Sequence, residues 1–173
     1  MRNVEIKARF RRHRKTDRTL QRFKARRTLV EDQVDTYFDV SNGRMKIREH
    51  ADGSAELIHY VREENEGPRI SHYEIVPLKS EEHIREILER EHGIRAVVRK
   101  RREVWMWRNA RIHFDDVEGL GSFVEFEVVL GRDETEEGGR EKAEMLMSAL
   151  GVTARDLIYQ SYEDFFRQRE QPA

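Results

Sequence analysis

The chain contains no cysteine, which excludes a disulfide framework, a thiolate zinc site and a cysteine nucleophile. It has almost no net charge, with 33 Lys and Arg against 34 Asp and Glu. That balance argues against a general nucleic-acid coat or a polybasic membrane anchor. No apolar run approaches membrane-spanning length, and no apolar stretch follows Met1 to Glu5, so the chain reads as cytoplasmic and without a membrane partner. P-loop and G-x-G-x-x-G patterns are missing, and Gly119 and Gly121 read as a tight turn. His13, His50, His59, His72, His83, His92 and His113 lack zinc-ligand spacing and read as surface or barrel-wall residues, so a histidine-ligated metal is not expected. No repeat, low-complexity tract or linker interrupts the 173 residues. They read as one domain, with a core over about residues 2–166 and a frayed tail after Arg169.

What the chain does have is charge of both signs, 39% of its residues against about 25% in an ordinary globular domain. The charges sit in a recognisable order of elements. Asn3, Glu5, Lys7 and Arg9 alternate with Val4, Ile6, Ala8 and Phe10, the period-two pattern of a strand with one apolar face. Residues 16–30 read as a basic helix, with Leu20 and Phe23 as its apolar contacts. Strand patterns follow over 33–40, 44–49, 55–62 and 70–76, punctuated by Asn42-Gly43, Asp52-Gly53 and a loop over 63–68. Residues 80–92 read as a helix ending at Gly93. Three further strands are expected over 95–102, 104–114 and 123–130, with a turn over 117–121. The chain closes with a helix over 140–150 and another opened by Thr153, whose apolar stripe is Leu157, Ile158, Tyr162, Phe165 and Phe166. About eight strands joined mostly by hairpins predict an α+β fold with a dominant antiparallel sheet, a number that can close into a barrel.

Alternate strand positions carry the charges: Glu5 and Lys7; Lys46 and Arg48; Arg62; Lys100 and Arg102; Arg111, His113 and Asp115; Glu125 and Glu127. Alternation alone is what any half-buried strand shows. The residue types are not, because the solvated face of an ordinary sheet favours Thr, Ser and Gln. If these faces share one barrel interior, cations and carboxylates are enclosed together, which requires pairing or a ligand. A triphosphate answers the cations, Arg in bidentate geometry. Mg²⁺ or Mn²⁺, hard ions that prefer oxygen and bridge phosphate groups, answers the carboxylates. The pattern points to metal-assisted phosphoryl chemistry.

These residues resemble the CYTH, or triphosphate tunnel metalloenzyme, family. Asn3-Val4-Glu5-Ile6-Lys7 is similar to the family's opening Glu-x-Glu-x-Lys strand. Asp35-Thr36-Tyr37-Phe38-Asp39 with Gly43-Arg44-Met45-Lys46-Ile47-Arg48 resembles its second block. Val98-Arg99-Lys100-Arg101-Arg102 resembles its Lys-x-Arg strand. Asp115-Asp116-Val117-Glu118-Gly119-Leu120-Gly121-Ser122-Phe123-Val124-Glu125-Phe126-Glu127 is similar to its aspartate, Gly-Leu-Gly, Glu-x-Glu signature, and Ser161-Tyr162-Glu163-Asp164-Phe165 to its closing helix. The resemblance covers about residues 2–166 and implies a closed eight-stranded antiparallel β-barrel with flanking helices.

It also implies roles. Glu5, Asp115, Glu125 and Glu127 would hold the metal. Lys7, Lys46, Arg48, Arg62, Lys100 and Arg102 would hold the phosphate chain, Arg62 standing where many relatives carry lysine. Glu5, Lys7 and Glu127 would carry the catalytic work. The expected substrate is tripolyphosphate, ATP or thiamine triphosphate, and a homodimer fits the family. Asn3 departs from the pattern: it replaces the first family acid, keeping an oxygen ligand but losing a charge. Three functions follow from the resemblance: triphosphate hydrolysis, class IV adenylyl cyclase chemistry giving cyclic AMP and pyrophosphate, and binding of polyphosphate or nucleotide without turnover. The basic run over 13–27 reads as a solvated face rather than a nucleic-acid surface. Trp105 and Trp107 read as packing residues, stacking on a nucleobase being the alternative.

Overall fold

The computed structural model describes residues 1–62 and 68–170, with side chains through residue 168. Eight strands, β1 (Arg2–Arg9), β2 (Arg26–Phe38), β3 (Arg44–His50), β4 (Ala55–Arg62), β5 (Arg69–Leu78), β6 (Ile94–Trp107), β7 (Ala110–Val117) and β8 (Gly121–Val129), form a closed barrel. Around the barrel the order is β1-β5-β4-β3-β2-β6-β7-β8, and every pairing is antiparallel. Four helices flank it: α1 (Arg14–Arg22), α2 (Glu81–His92), α3 (Glu136–Ala149) and α4 (Tyr162–Glu170). No helix among the described residues is long and apolar enough to cross a membrane.

The strand alternation seen in the sequence sorts side chains between two interiors. Val4, Ile6 and Ala8 of β1 point outward with Ile112, Phe114, Val124 and Phe126, and the principal apolar core forms there, between barrel and helices. Leu20 of α1 and Ala143 and Leu146 of α3 cover it. The approach of α3 is close: a Cβ at Gly139 would lie 2.7 Å from Val4 Cγ2 and 2.8 Å from Leu130 Cδ2. A smaller cluster under α2 joins Phe38, Ile47 and Ala55 to Ile84 and Leu88. The charged partners turn into the lumen, where a few apolar side chains such as Ile58 and Val104 join them.

One end of the barrel is stopped. There Tyr162, Phe165 and Phe166 of α4 pack on Tyr37, Val98, Val117 and Phe123. Ion pairs lash α4 in place, with Arg44 Nε 2.6 Å from Glu163 Oε1 and Arg44 Nη2 3.0 Å from Asp164 Oδ2. Arg95 Nε adds a contact to Glu163 at 3.3 Å. Toward the other end, where β2 begins and β6 finishes, Leu29 and Met106 line the lumen cavity and Leu29 is exposed to solvent.

Three elements differ from the sequence reading. The expected helix over 16–30 stops at Arg22; Lys24 takes a left-handed φ of 57°, and β2 begins at Arg26. Leu29 and Val30 pair with Val104 and Glu103, so strand pairing overrides the helical look of a basic run. The expected break at residue 103 is absent, because β6 runs unbroken to Trp107 and turns at Arg108, φ 52°. Within it, as expected over 95–102, the chain is a strand: its outward Arg99 and Arg101 stay exposed while Lys100 and Arg102 are buried. The last helix is also shorter than expected. Thr153 and Asp156 cap a single 3₁₀ turn; Leu157 then bridges Ala8, and α4 starts only at Tyr162. The loop expected over 63–68 lies, except for Pro68, outside the described residues, as does the end of the tail.

Candidate active site in the barrel lumen

A cavity of about 420 Å³ occupies the lumen. It is lined by Glu5, Lys7, Lys46, Arg48, Arg62, Lys100, Arg102, Glu125 and Glu127 together with Asn3, Asp35, Arg111 and His113. The charged positions of seven strands therefore converge on one cavity. Asp115 is buried beside it, joined to Arg102.

On β2, β3 and β6, three cations share one carboxylate. Asp35 is fully buried. Its Oδ2 accepts from Lys46 Nζ at 2.8 Å, Lys100 Nζ at 2.5 Å and Arg48 Nη2 at 2.9 Å, and its Oδ1 accepts from Arg48 Nε at 2.7 Å. Burial pushes the Asp35 carboxyl up, but Arg48, Lys100 and Lys46 together hold it well below the usual range. The two ammonium groups show the cost of the arrangement. Burial and neighbouring Arg48 lower Lys46 to about 8. Burial lowers Lys100 strongly; Asp35 opposes the shift, while Arg48, Arg102 and Lys46 reinforce it. The cradle carries more positive than negative charge, so an incoming anion is stabilised there.

Next to the cradle in the ring, on β6, β7 and β8, the charges are matched more evenly. Arg102 grips Asp115 with two bonds, Nε to Oδ1 at 2.7 Å and Nη2 to Oδ2 at 2.6 Å, and Tyr162 donates to the same carboxylate at 2.9 Å. Burial raises the Asp115 carboxyl, yet Arg102 outweighs it and brings the group to about 2. Arg102 also reaches Glu125 at 3.3 Å. Lys7 Nζ lies 3.0 Å from Glu125 Oε1 and 4.3 Å from the centre of the Tyr162 ring. Arg111 pairs with Glu127 at 2.9 Å.

His113, Glu125 and Glu127 each offer a ligand atom, all within 4.8 Å of one another. The His113 Nδ1 is buried without a hydrogen-bond partner, 3.6 Å from Glu125 Oε2 and 3.8 Å from Glu127 Oε1. Burial and Arg102 lower the imidazole below its ordinary value, which favours the neutral form that a cation needs.

Glu5 completes the acidic side. It faces Arg62 at 3.3 Å and Arg69 at 3.4 Å, while burial and Glu125 raise its carboxyl against the pull of Lys7, Arg62 and Arg69. Register places Glu5 opposite Glu127 and Asn3 opposite Ser71. The Asn3 Oδ1 is buried and unpartnered: an oxygen facing the lumen, at the position where the resemblance led us to expect a carboxylate.

Sequence reasoning missed Asp35, Arg69 and the place of His113. Asp35 lay inside a quoted block, and its parity with Tyr37 was the available signal. Arg69 sits at the edge of the loop expected over 63–68. Of seven scattered histidines, only the strand pairing sets His113 opposite Glu125. Trp105 and Trp107 are buried on the outer face, Trp107 meeting Phe23 edge-on at 5.4 Å; they are packing residues. The cations of the run over 13–27, including Arg14, Lys15, Arg18, Arg22, Arg26 and Arg27, are exposed.

A closed barrel with an ionic lumen defines the class, and the comparisons give the family. The CYTH domain profile matches residues 1–162; the chain belongs to the CYTH family. A protein of Pyrococcus horikoshii superposes with a TM-score of 0.83 at 21% identity, over 94% of this chain and 98% of that one. A conserved hypothetical protein of Pyrococcus furiosus gives 0.80 at 25% identity, over 94% and 98%. An adenylyl cyclase-type protein of Hippeastrum with a dominant triphosphatase activity gives 0.63 at 18% identity, over 98% and 97%. No curated protein sequence matches the chain. The family is metal-dependent, and the group of buried His113 and Glu125 with half-buried Glu127, an orphaned nitrogen and two carboxylates, fits a divalent cation.

Proposed function

We propose that this protein is a cytoplasmic, divalent-metal-dependent enzyme that binds the phosphate chain of a triphosphate in its lumen and hydrolyses it. The observation that carries this reading is the Asp35 cradle, in which buried Lys46 and Lys100 and half-buried Arg48 surround a single carboxylate. Such excess positive charge in an enclosed site is stabilised by a polyanion. Lys46, Arg48 and Lys100 hold one end of the phosphate chain, and Lys7, Arg62 and Arg102 hold the rest. Asp35 and Asp115 position these cations. Glu125, Glu127 and His113 hold Mg²⁺ or Mn²⁺, with Glu5 adjoining; when bound, the ion neutralises phosphate charge and lowers the pKa of a coordinated water. Glu5 is the carboxylate whose raised pKa suits acceptance of a proton from attacking water.

Hydrolysis is preferred to cyclisation because it needs only a clamped chain and an oriented water. The test is a panel of tripolyphosphate, ATP and thiamine triphosphate with Mg²⁺ or Mn²⁺, scored for phosphate and for cyclic nucleotide. Phosphate without cyclic product is the expected result. Cyclic AMP with pyrophosphate would replace this reading by the cyclase, and tight binding without turnover by a sensor.

A further inference from the structure

Charge does not line the whole lumen. Ile58 on β4 and Ile75 on β5 are register partners and both face the cavity. Leu29 on β2 and Val104 on β6 are also partners, and with Met106 they face it as well. In the ring of eight strands β5 stands four places from β6, so Ile75 and the Val104–Met106 pair occupy opposite walls. Ile58 and Val104 are buried yet belong to none of the apolar clusters that hold the fold together. Leu29 is 39% exposed at the open rim.

Polar groups stand on either side between these walls. His50 and Glu56 line the cavity from β3 and β4 and lie 3.4 Å apart. Arg111, on β7, donates to the Tyr73 hydroxyl at 3.0 Å. An apolar slot with a few polar groups along its edges is the chemistry of a site for a flat organic ring. A bare phosphate chain gains nothing from such walls, because charge set against apolar surface loses hydration without compensation.

We infer that Leu29, Val104 and Met106 facing Ile58 and Ile75 form a head-group slot. It selects an organic triphosphate bearing a flat heteroaromatic ring over inorganic tripolyphosphate. This rests on the proposed phosphate cradle: the chain enters the charged part of the lumen and the ring stays toward the open rim. Glu56 and His50 then meet one edge of the ring, where an exocyclic amino group finds an acceptor.

The experiment is calorimetric binding of tripolyphosphate, ATP and thiamine triphosphate without added metal, to the parent protein and to Leu29→Ser and Met106→Gln. Circular dichroism confirms folding; Leu29 is exposed enough to tolerate the change. The expected result is that at least one organic ligand binds about tenfold or more tighter than tripolyphosphate, and that both variants remove most of that advantage. Tripolyphosphate affinity stays within roughly twofold in the variants, since no phosphate-binding side chain is altered. Whether ATP or thiamine triphosphate carries the advantage identifies the ring. Equal affinities for all three ligands, or equal weakening of all three by the variants, overturn the slot and leave the cradle standing. No binding of any of the three overturns the cradle, and the slot with it.

Discussion

The Lys100 ammonium lies 2.5 Å from the Asp35 carboxylate, both completely buried, and that carboxylate also holds Lys46 and Arg48. Asp35 is the shared counter-ion of the cradle. Asp35→Asn leaves buried Lys46 and Lys100 and half-buried Arg48 around a neutral amide, and breaking such a set by removing one partner costs about 3–5 kcal/mol. The variant is expected to unfold at lower temperature than the parent. Tripolyphosphate should raise its midpoint by more than it raises the parent's, because the ligand replaces the lost anion. Equal ligand-induced shifts in a thermal scan would show that the phosphate chain does not reach these cations.

The Lys46 ammonium is held well below the ordinary lysine value. Its value of about 8 follows from burial and Arg48, opposed by Asp35, with Arg102 adding to the lowering. Tyr37 and Tyr60 also face it, and Lys100 shares its carboxylate. A bound phosphate raises the value, so binding is strongest below it and takes up a proton above it. Affinity for tripolyphosphate should therefore fall as pH rises from about 7.5 to 9.5, approaching tenfold per pH unit for one linked proton. Lys46→Arg, which stays charged, should flatten that slope. A parent titration that is already flat would remove Lys46 from the phosphate site.

Removing one residue from each half of the lumen separates binding from chemistry. Glu127→Ala takes away one member of the cation group, and metal-dependent turnover should drop by about a hundredfold or more. Metal-free binding of the triphosphate should be nearly unchanged. Lys100→Ala removes a cradle cation, and KM should rise about tenfold or more with a smaller change in kcat. Unchanged activity in both variants would mean that neither side chain touches the reacting molecule.

The barrel was legible because its strands alternate so sharply. Glu5 and Lys7 against Val4 and Ile6, or Lys46 and Arg48 against Met45 and Ile47, assign a face at each position. Alternation cannot say which partner a buried charge takes. Arg102 could have served a phosphate alone, and the structure shows it also holding Asp115 with two bonds. His113 joins Glu125 and Glu127 through the β7–β8 register, information that a single strand does not contain. At residues 26–30 exposed cations dilute the apolar signal, and only tertiary pairing with β6 fixes the start of β2.

Asn3 is the residue at which this chain departs from the family pattern, and its buried oxygen has no partner. It stands two positions from Glu5 on the same lumen-facing side of β1, and Glu5 pairs in register with Glu127. Asn3→Glu adds a carboxylate to this acidic side. A further anion beside Glu5 and Glu127 is unfavourable without a cation and favourable with one. The variant should be less stable than the parent in chelator and regain the difference when Mn²⁺ is added. Its Mn²⁺ affinity, read from the free-ion signal in electron paramagnetic resonance, should rise about tenfold. Asn3→Asp, with a shorter reach, should give a smaller gain. Should Asn3→Glu bind Mn²⁺ no better than the parent, position 3 does not face the cation, and the departure at Asn3 has no bearing on the metal.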